Sequence, residues 1–228
     1  MVTADLFLLI LLTTIVILLI LLINNFVFYR RKFKDEISLM IILCFITAIC
    51  EILWATFDGN KELYFLTYTF AIGFTIFVLL FASTFSLFFL KFFNCYPKKK
   101  WVLALIYIVP NVSFFLLSAT TPWTHLVFSI NAEGFIVEEI LFATLFYILV
   151  ISHFLASLIV AIVNLVKFKK NQGTTKKIIF MLIGFDIVAP LTLAIQYLLL
   201  GFDSDYIALS LCLALCRRMC SFLLVQCC

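Results

Sequence analysis

Glu51, His153, Asp186, Asn111 and Ser157 are the residues whose types could do chemistry, and each lies inside a long apolar run. Carboxyl, imidazole, amide and hydroxyl groups in such runs suit three uses: hydrogen bonding between helices, coupling to a ligand or signal, and proton or ion transport. An ionised group near a bilayer centre costs on the order of 2–3 kcal/mol even on the lenient insertion scale. These side chains must therefore face protein or a polar cavity. Glu51 stands in ITAICEILWATF, residues 46–57, and helical spacing puts Cys44, Thr47, Ala48, Ala55 and Asp58 on its side. That face is small and polar, which turns it toward other helices. Glu139, His153, Ser157 and Asn164 fall in one narrow sector of another helix and predict a second interior stripe.

Asp186 precedes Pro190 by one turn. Proline has no N–H, so the carbonyl of residue 186 loses its helical partner and a kink is favoured. Pro110, beside Asn111 and Ser113, predicts a comparable break. Two proline hinges with polar neighbours can frame a central ligand or ion site.

The elements that must position these residues are membrane spans. The chain has 228 residues, 66% of them hydrophobic and only 12% charged, with a mean hydropathy of +1.25. That leaves too little polar surface to cover a water-soluble globule. A hydrocarbon core of roughly 30 Å needs about 20 helical residues, and apolar runs of that length recur throughout. With six glycines and four prolines the runs predict helices rather than a barrel. Spans are expected near 5–29, 37–57, 63–90, 101–119, 138–166, 178–200 and 206–226, forming one seven-helix domain over residues 1–228. The first has neither a basic flank before it nor a small-residue cleavage site after it, so it is read as a span and not as a signal peptide. Within the first six spans no Lys or Arg is present to neutralise Glu51, and His153 near mid-depth could share a proton or hydrogen bond with it.

Thirteen of the sixteen basic residues lie in alternate loops: Arg30, Arg31, Lys32 and Lys34; Lys91 and Lys98 to Lys100; Lys167, Lys169, Lys170, Lys176 and Lys177. The positive-inside rule then puts the N-terminus outside and the C-terminus inside. Topology accounts for these lysines, so no nucleic-acid partner is expected, and the bilayer itself is the first partner. No HExxH, GxSxG or GxGD-type acid pair nominates a catalytic centre, and the seventh span offers no lysine for a retinal Schiff base. Neither a cofactor nor a metal is expected.

The outer loop Thr121 to Val137 contains two short β-like runs about Asn131-Ala132-Glu133-Gly134. It predicts a small outer hairpin capping the bundle between the fourth and fifth helices, or an ordinary connector with an interfacial Trp123. His125 is its other chemically capable residue.

HLVFSINAEGF in this loop, EILWATFD at the end of the second span, and KKKWVLALIYIVPNVSFFLL leading into the fourth resemble the seven-helix N-terminal sensor region of bacterial histidine kinases and GGDEF diguanylate cyclases. The likeness covers residues 1 to about 215. It implies an all-α, seven-helix receptor in the inner membrane that reads an extracytoplasmic or membrane-borne ligand and feeds a cytoplasmic output domain, with a homodimer as a further option. In the cyclase members that domain makes cyclic di-GMP from GTP. This chain contains no GGDEF motif, kinase histidine box or ATP-binding region, so any such catalysis would reside in another domain.

The last span is atypical. YIALSLCLALC meets Arg217-Arg218 after eleven residues, about 17 Å of helix. Cys212, Cys216, Cys220, Cys227 and Cys228 crowd the same end. No His or acid completes a four-ligand metal set there, and the terminal pair departs from a C-a-a-X signal. A truncation or frame slip near residues 213–217 is the expectation that fits this change of character. The function expected is thus the sensor half of a signalling protein, a diguanylate cyclase ahead of a histidine kinase. The rival is a small secondary transporter with its site at the interrupted fourth and sixth helices.

Overall fold

The computed structural model describes residues 12, 13, 15–20, 22, 23, 34–93, 95, 97, 99–132 and 134–167. The expectations resting on Asp186, Pro190, the sixth and seventh spans and the C-terminal cysteines lie outside these residues. The described residues between 12 and 23 are all helical, within the expected first span, and Leu18 is fully buried.

Four helices among the described residues are long and apolar enough to cross a membrane. They are α1 (Lys34–Phe57), α2 (Tyr64–Phe92), a composite of α3 (Lys100–Leu103), a π turn (Ala104–Ile108) and α4 (Val109–Thr124), and α5 (Ile140–Lys167). Asp35 and Glu36 in the first turn of α1 suit the positive end of its dipole, and Lys91 in the last turn of α2 suits the negative end. The two helices run antiparallel, so Lys91 meets Glu36 as an ion pair at the lysine-rich end.

The helix α2 packs against α1, α4 and α5 and is the centre of the described bundle. Its phenylalanines recur at four-residue spacing and stack up one side: Phe81 on Phe85 at 6.0 Å and Phe85 on Phe89 at 4.9 Å between centroids. Phe154 of α5 closes on Phe85 at 5.5 Å. The buried face of α5 runs through Phe142, Phe146, Val150, His153, Phe154, Ser157, Ala161 and Asn164, so the interior stripe read from spacing is present at His153, Ser157 and Asn164, whereas Glu139 precedes the helix and is only half-buried. The face of α1 around Glu51 is also inward at Cys44, Thr47 and Ala48, but Ala55 is exposed.

Pro110 does not break its helix. Val109 N–H bonds the carbonyl of Ala104 five residues back, and this wider turn accommodates the proline ring that an α turn would drive into the preceding carbonyl. The helix also continues beyond residue 119. Pro122 sits within its last turn, and His125 ends it in the left-handed region with φ 53°, donating its N–H to Thr121 O at 2.8 Å. Trp123 therefore stands on the last helical turn, exposed, rather than in a loop.

The hairpin forms as the sequence suggests. β1 (Phe128–Ile130) pairs antiparallel with β2 (Ile136–Glu138), Ser129 opposite Val137. Gly134 N–H closes the turn on Asn131 O, and Asn131 Oδ1 accepts from Phe135 N–H. Glu138 thus belongs to β2, and α5 begins at Ile140.

The end of α1 holds this hairpin. Asp58 Oδ1 accepts from Ile136 N–H at 3.0 Å, Trp54 packs edge-on against Phe128, and Tyr68 Oη donates toward Phe128 O. Gly59, at φ +80°, lies under the ring of Phe135, which a Cβ would approach to 2.8 Å. Gly59→Ala should cost about 1–2 kcal/mol from its left-handed backbone alone, measured by unfolding in mixed micelles. The same substitution in a Phe135→Ala background should keep that backbone cost and lose the steric part. Equal stability of Gly59→Ala and wild type would contradict the clasp.

Burial pushes the Glu138 carboxyl from 4.5 up to about 7. The folded cap then binds a proton more tightly than the unfolded chain, so stability is greatest below pH 4.5 and declines as pH rises through about 7. Glu138 keeps partial exposure, which reduces the size of the effect. Glu138→Gln should flatten the decline when melting temperature is followed from pH 4 to 9; an unchanged slope would exclude Glu138 as its source.

Candidate functional site

Three helices bring a polar cluster together at mid-span. Ser83 and Ser86 stand one turn apart on α2, Tyr107 comes from the π turn, Asn111 from α4 and His153 from α5. Ser83, Ser86, Tyr107 and His153 are buried, and Asn111 is partly buried. Asn111 Nδ2 donates to Ser83 Oγ at 2.9 Å, and Ser83 Oγ lies 3.2 Å from His153 Nε2. Tyr107 Oη and Ser86 Oγ share a hydrogen bond of 2.8 Å. The Tyr107 ring stacks on the imidazole of His153, centroids 5.2 Å apart and planes 18° from parallel.

The π turn is what delivers Tyr107. Of its five residues only Tyr107 is buried. From there Asn111, Phe114, Ser118 and Thr121 continue along the side of α4 nearest α2. The amide of Asn111 is oriented by its surroundings, because Nδ2 also donates to the carbonyl of Tyr107. A flipped amide would set oxygen against that carbonyl. With Asn111 donating to Ser83 Oγ, the Ser83 hydroxyl can donate its own hydrogen bond to His153 Nε2, which accepts it in the neutral tautomer that carries its proton on Nδ1.

Serine beside histidine has the residue types of a nucleophile and its base. Here Ser83 Oγ accepts from Asn111, Ser83 and His153 are buried, and the imidazole packs on Tyr107, so the arrangement is a closed hydrogen-bonded cluster rather than an open catalytic dyad.

The cluster joins two residues picked out by sequence, Asn111 and His153, through Ser83. The pairing of His153 with Glu51 is not present. Among the described residues His153 turns to α2, while Glu51 Oε2 is buried on α1 without a partner. The reason is the order of packing: α2 lies between α1 and α5 and intercepts the imidazole with its own hydroxyl. Ser157 is buried and bonds the carbonyl of Phe154 on its own helix, while Asn164 reaches Val160 O and Cys95 Sγ near the lysine-rich end. His125 belongs to the hairpin cap, where Nδ1 lies 3.2 Å from Tyr68 Oη.

Ser83, Ser86 and Tyr107 are functional candidates that the sequence did not single out. The two hydroxyls at i and i+3 in FASTFSLFF, and Tyr107 one turn before Asn111, were the available signals.

Adjacent to the cluster, α2 and α4 line a half-open cavity of about 210 Å³. Its walls are Thr75, Ile76, Leu79 and Leu80 from α2 and Asn111, Val112, Phe114, Phe115 and Ser118 from α4. Asn111 Oδ1 and Ser118 Oγ are buried and have no hydrogen-bond partner.

Hydrogen bonds between membrane helices average about 0.6 kcal/mol and rarely exceed about 1.7 kcal/mol. A double-mutant cycle of Ser83→Ala with His153→Leu should return a coupling of that order, read from unfolding in mixed micelles. The cycle of Glu51→Leu with His153→Leu should return a coupling indistinguishable from zero; a value matching the serine pair would contradict the packing order.

No curated protein matches the chain. Residues 8–218 match the family described as the N-terminal 7TM region of histidine kinase. That match spans nearly the whole sequence, and the apolar helices, the hairpin cap and the buried polar cluster all lie within it. The chain belongs to the family of seven-transmembrane N-terminal regions of histidine kinases.

Proposed function

We propose that this chain is the signal-sensing region of a bacterial histidine kinase, seated in the cytoplasmic membrane with its hairpin outside and its lysine-rich loops inside. The observation that carries the reading is the hydrogen-bonded chain Asn111, Ser83, His153, which ties three long helices together through single side chains. A change at any one of them is felt by the other two. Such a cluster has the form of an element with two arrangements, one bonded and one rearranged, whose balance a signal can bias.

The family match supports a kinase output and carries nothing specific to a GGDEF domain. Phosphoryl transfer itself belongs to a catalytic domain that the matched region does not comprise. The transporter alternative drew on helices interrupted at Pro110 and Pro190. The first of these runs unbroken through its π turn, which removes one of the two supports.

The test is a fusion of this chain to a reporter kinase, with phosphorylation measured in membranes at matched protein level. His153→Ala and Asn111→Ala should each shift output by about fivefold or more, a coupling of about 1 kcal/mol. Ile148→Ala, on the exposed face of α5, should leave it unchanged. Output that is equal across all three variants and wild type would reject the polar cluster as the signal element. Glu51→Ala, run alongside, asks separately whether the unpaired acid of α1 takes part.

A further inference from the structure

The cavity between α2 and α4 is mostly apolar, yet Asn111 and Ser118 each bring to it a buried oxygen with no partner. Ser118 is fully buried, and the Nδ2 protons of Asn111 are already spent on Ser83 and Tyr107. What Asn111 offers to the cavity is therefore an acceptor. A buried acceptor left unpaired is costly, and a ligand that supplies an N–H or O–H recovers that cost. An apolar cavity of about 150 Å³ takes up benzene, so about 210 Å³ has room for one or two fused rings. Asn111 and Ser118 are seven residues apart on one helix, about 10 Å along its axis. The space is thus elongated, with a defined acceptor at the end that joins the polar cluster.

We propose that this cavity is a binding site for a small, membrane-partitioned ring compound carrying one N–H or O–H, which donates to Asn111 Oδ1 while its apolar body lies along Leu79, Phe114 and Phe115. This deepens the sensing role proposed above and rests on it for its consequence. The amide that meets the ligand is the amide that holds Ser83, and Ser83 holds His153. Occupancy is thereby reported to α5 without any contact between ligand and α5.

The experiment compares two probes of nearly the same shape, indole and indene, of which only indole carries an N–H. Purified full chain in nanodiscs is titrated with each, and binding is read from the shift in thermal midpoint. Indole should bind about fivefold or more tightly than indene. In Asn111→Leu, whose own melting transition verifies folding, the two probes should become equal. Ser118→Phe, which fills the cavity, should abolish the response to both. Equal binding of the two probes to wild type, or an unchanged response in Ser118→Phe, would overturn the proposal and leave the cavity as a place for water. Indole binding with the expected probe and variant pattern, but no change in output from the reporter fusion, would support the site and count against the sensing role.

Discussion

A polar side chain inside hydrocarbon has only protein atoms for company, and this constraint orders the interior of the bundle. Most of its hydroxyls are settled locally: Thr47 on Leu43 O, Thr75 on Ala71 O, Thr121 on Leu117 O. Such bonds keep a polar residue within its own helix and join nothing to anything else. Ser83, Ser86, Tyr107, Asn111 and His153 are settled across helices, and they tie α2, the composite helix and α5 together. Among the described residues four side-chain atoms remain buried without partners. Glu51 Oε2 and Trp54 Nε1 lie one turn apart on α1; Asn111 Oδ1 and Ser118 Oγ belong to the cavity beside α4.

The central position of α2 follows from contacts on several of its residues. The phenylalanine ladder meets Phe154 of α5, Phe74 meets Trp54 of α1, and Ser83 meets Asn111 of α4, so three helices pack on the same one. At the hairpin end this helix contributes Tyr68 to the cap, and near its middle Ser83 to the polar cluster. The cap and the cluster are thus two stations on one stiff rod. EILWATFD and HLVFSINAEGF, far apart in sequence, prove to be the two halves of the cap: Trp54 meets Phe128, and Asp58 meets Ile136.

Much of this was legible beforehand, for physical reasons. Long apolar runs located α1, α2, the composite helix and α5 to within a few residues, because the bilayer leaves little choice of element. Asn131 and Gly134 announced the turn of the hairpin, since an Asx acceptor and a positive-φ glycine are what such a turn needs. The interior stripe of α5 was readable from 100° spacing. Partners were not readable. Helical spacing fixes the side of a helix on which His153 lies but carries no information about which neighbour occupies that side, and α2 stands where α1 was expected. Proline misled at Pro110, which is absorbed by a π turn, while Pro122 is carried in a last turn with little left to lose.

That π turn has a mechanical consequence. It carries one residue more than the α-helix it interrupts, and one residue is worth about 100° of rotation but only about 1.5 Å of length. The segments on either side, one leading from Trp101 and the other bearing Asn111 and Ser118, are therefore out of phase by a fixed angle that a single local rearrangement can restore. A helix built this way stores its freedom as torsion. Movement transmitted through it is a twist of one end against the other, with almost no displacement along the membrane normal.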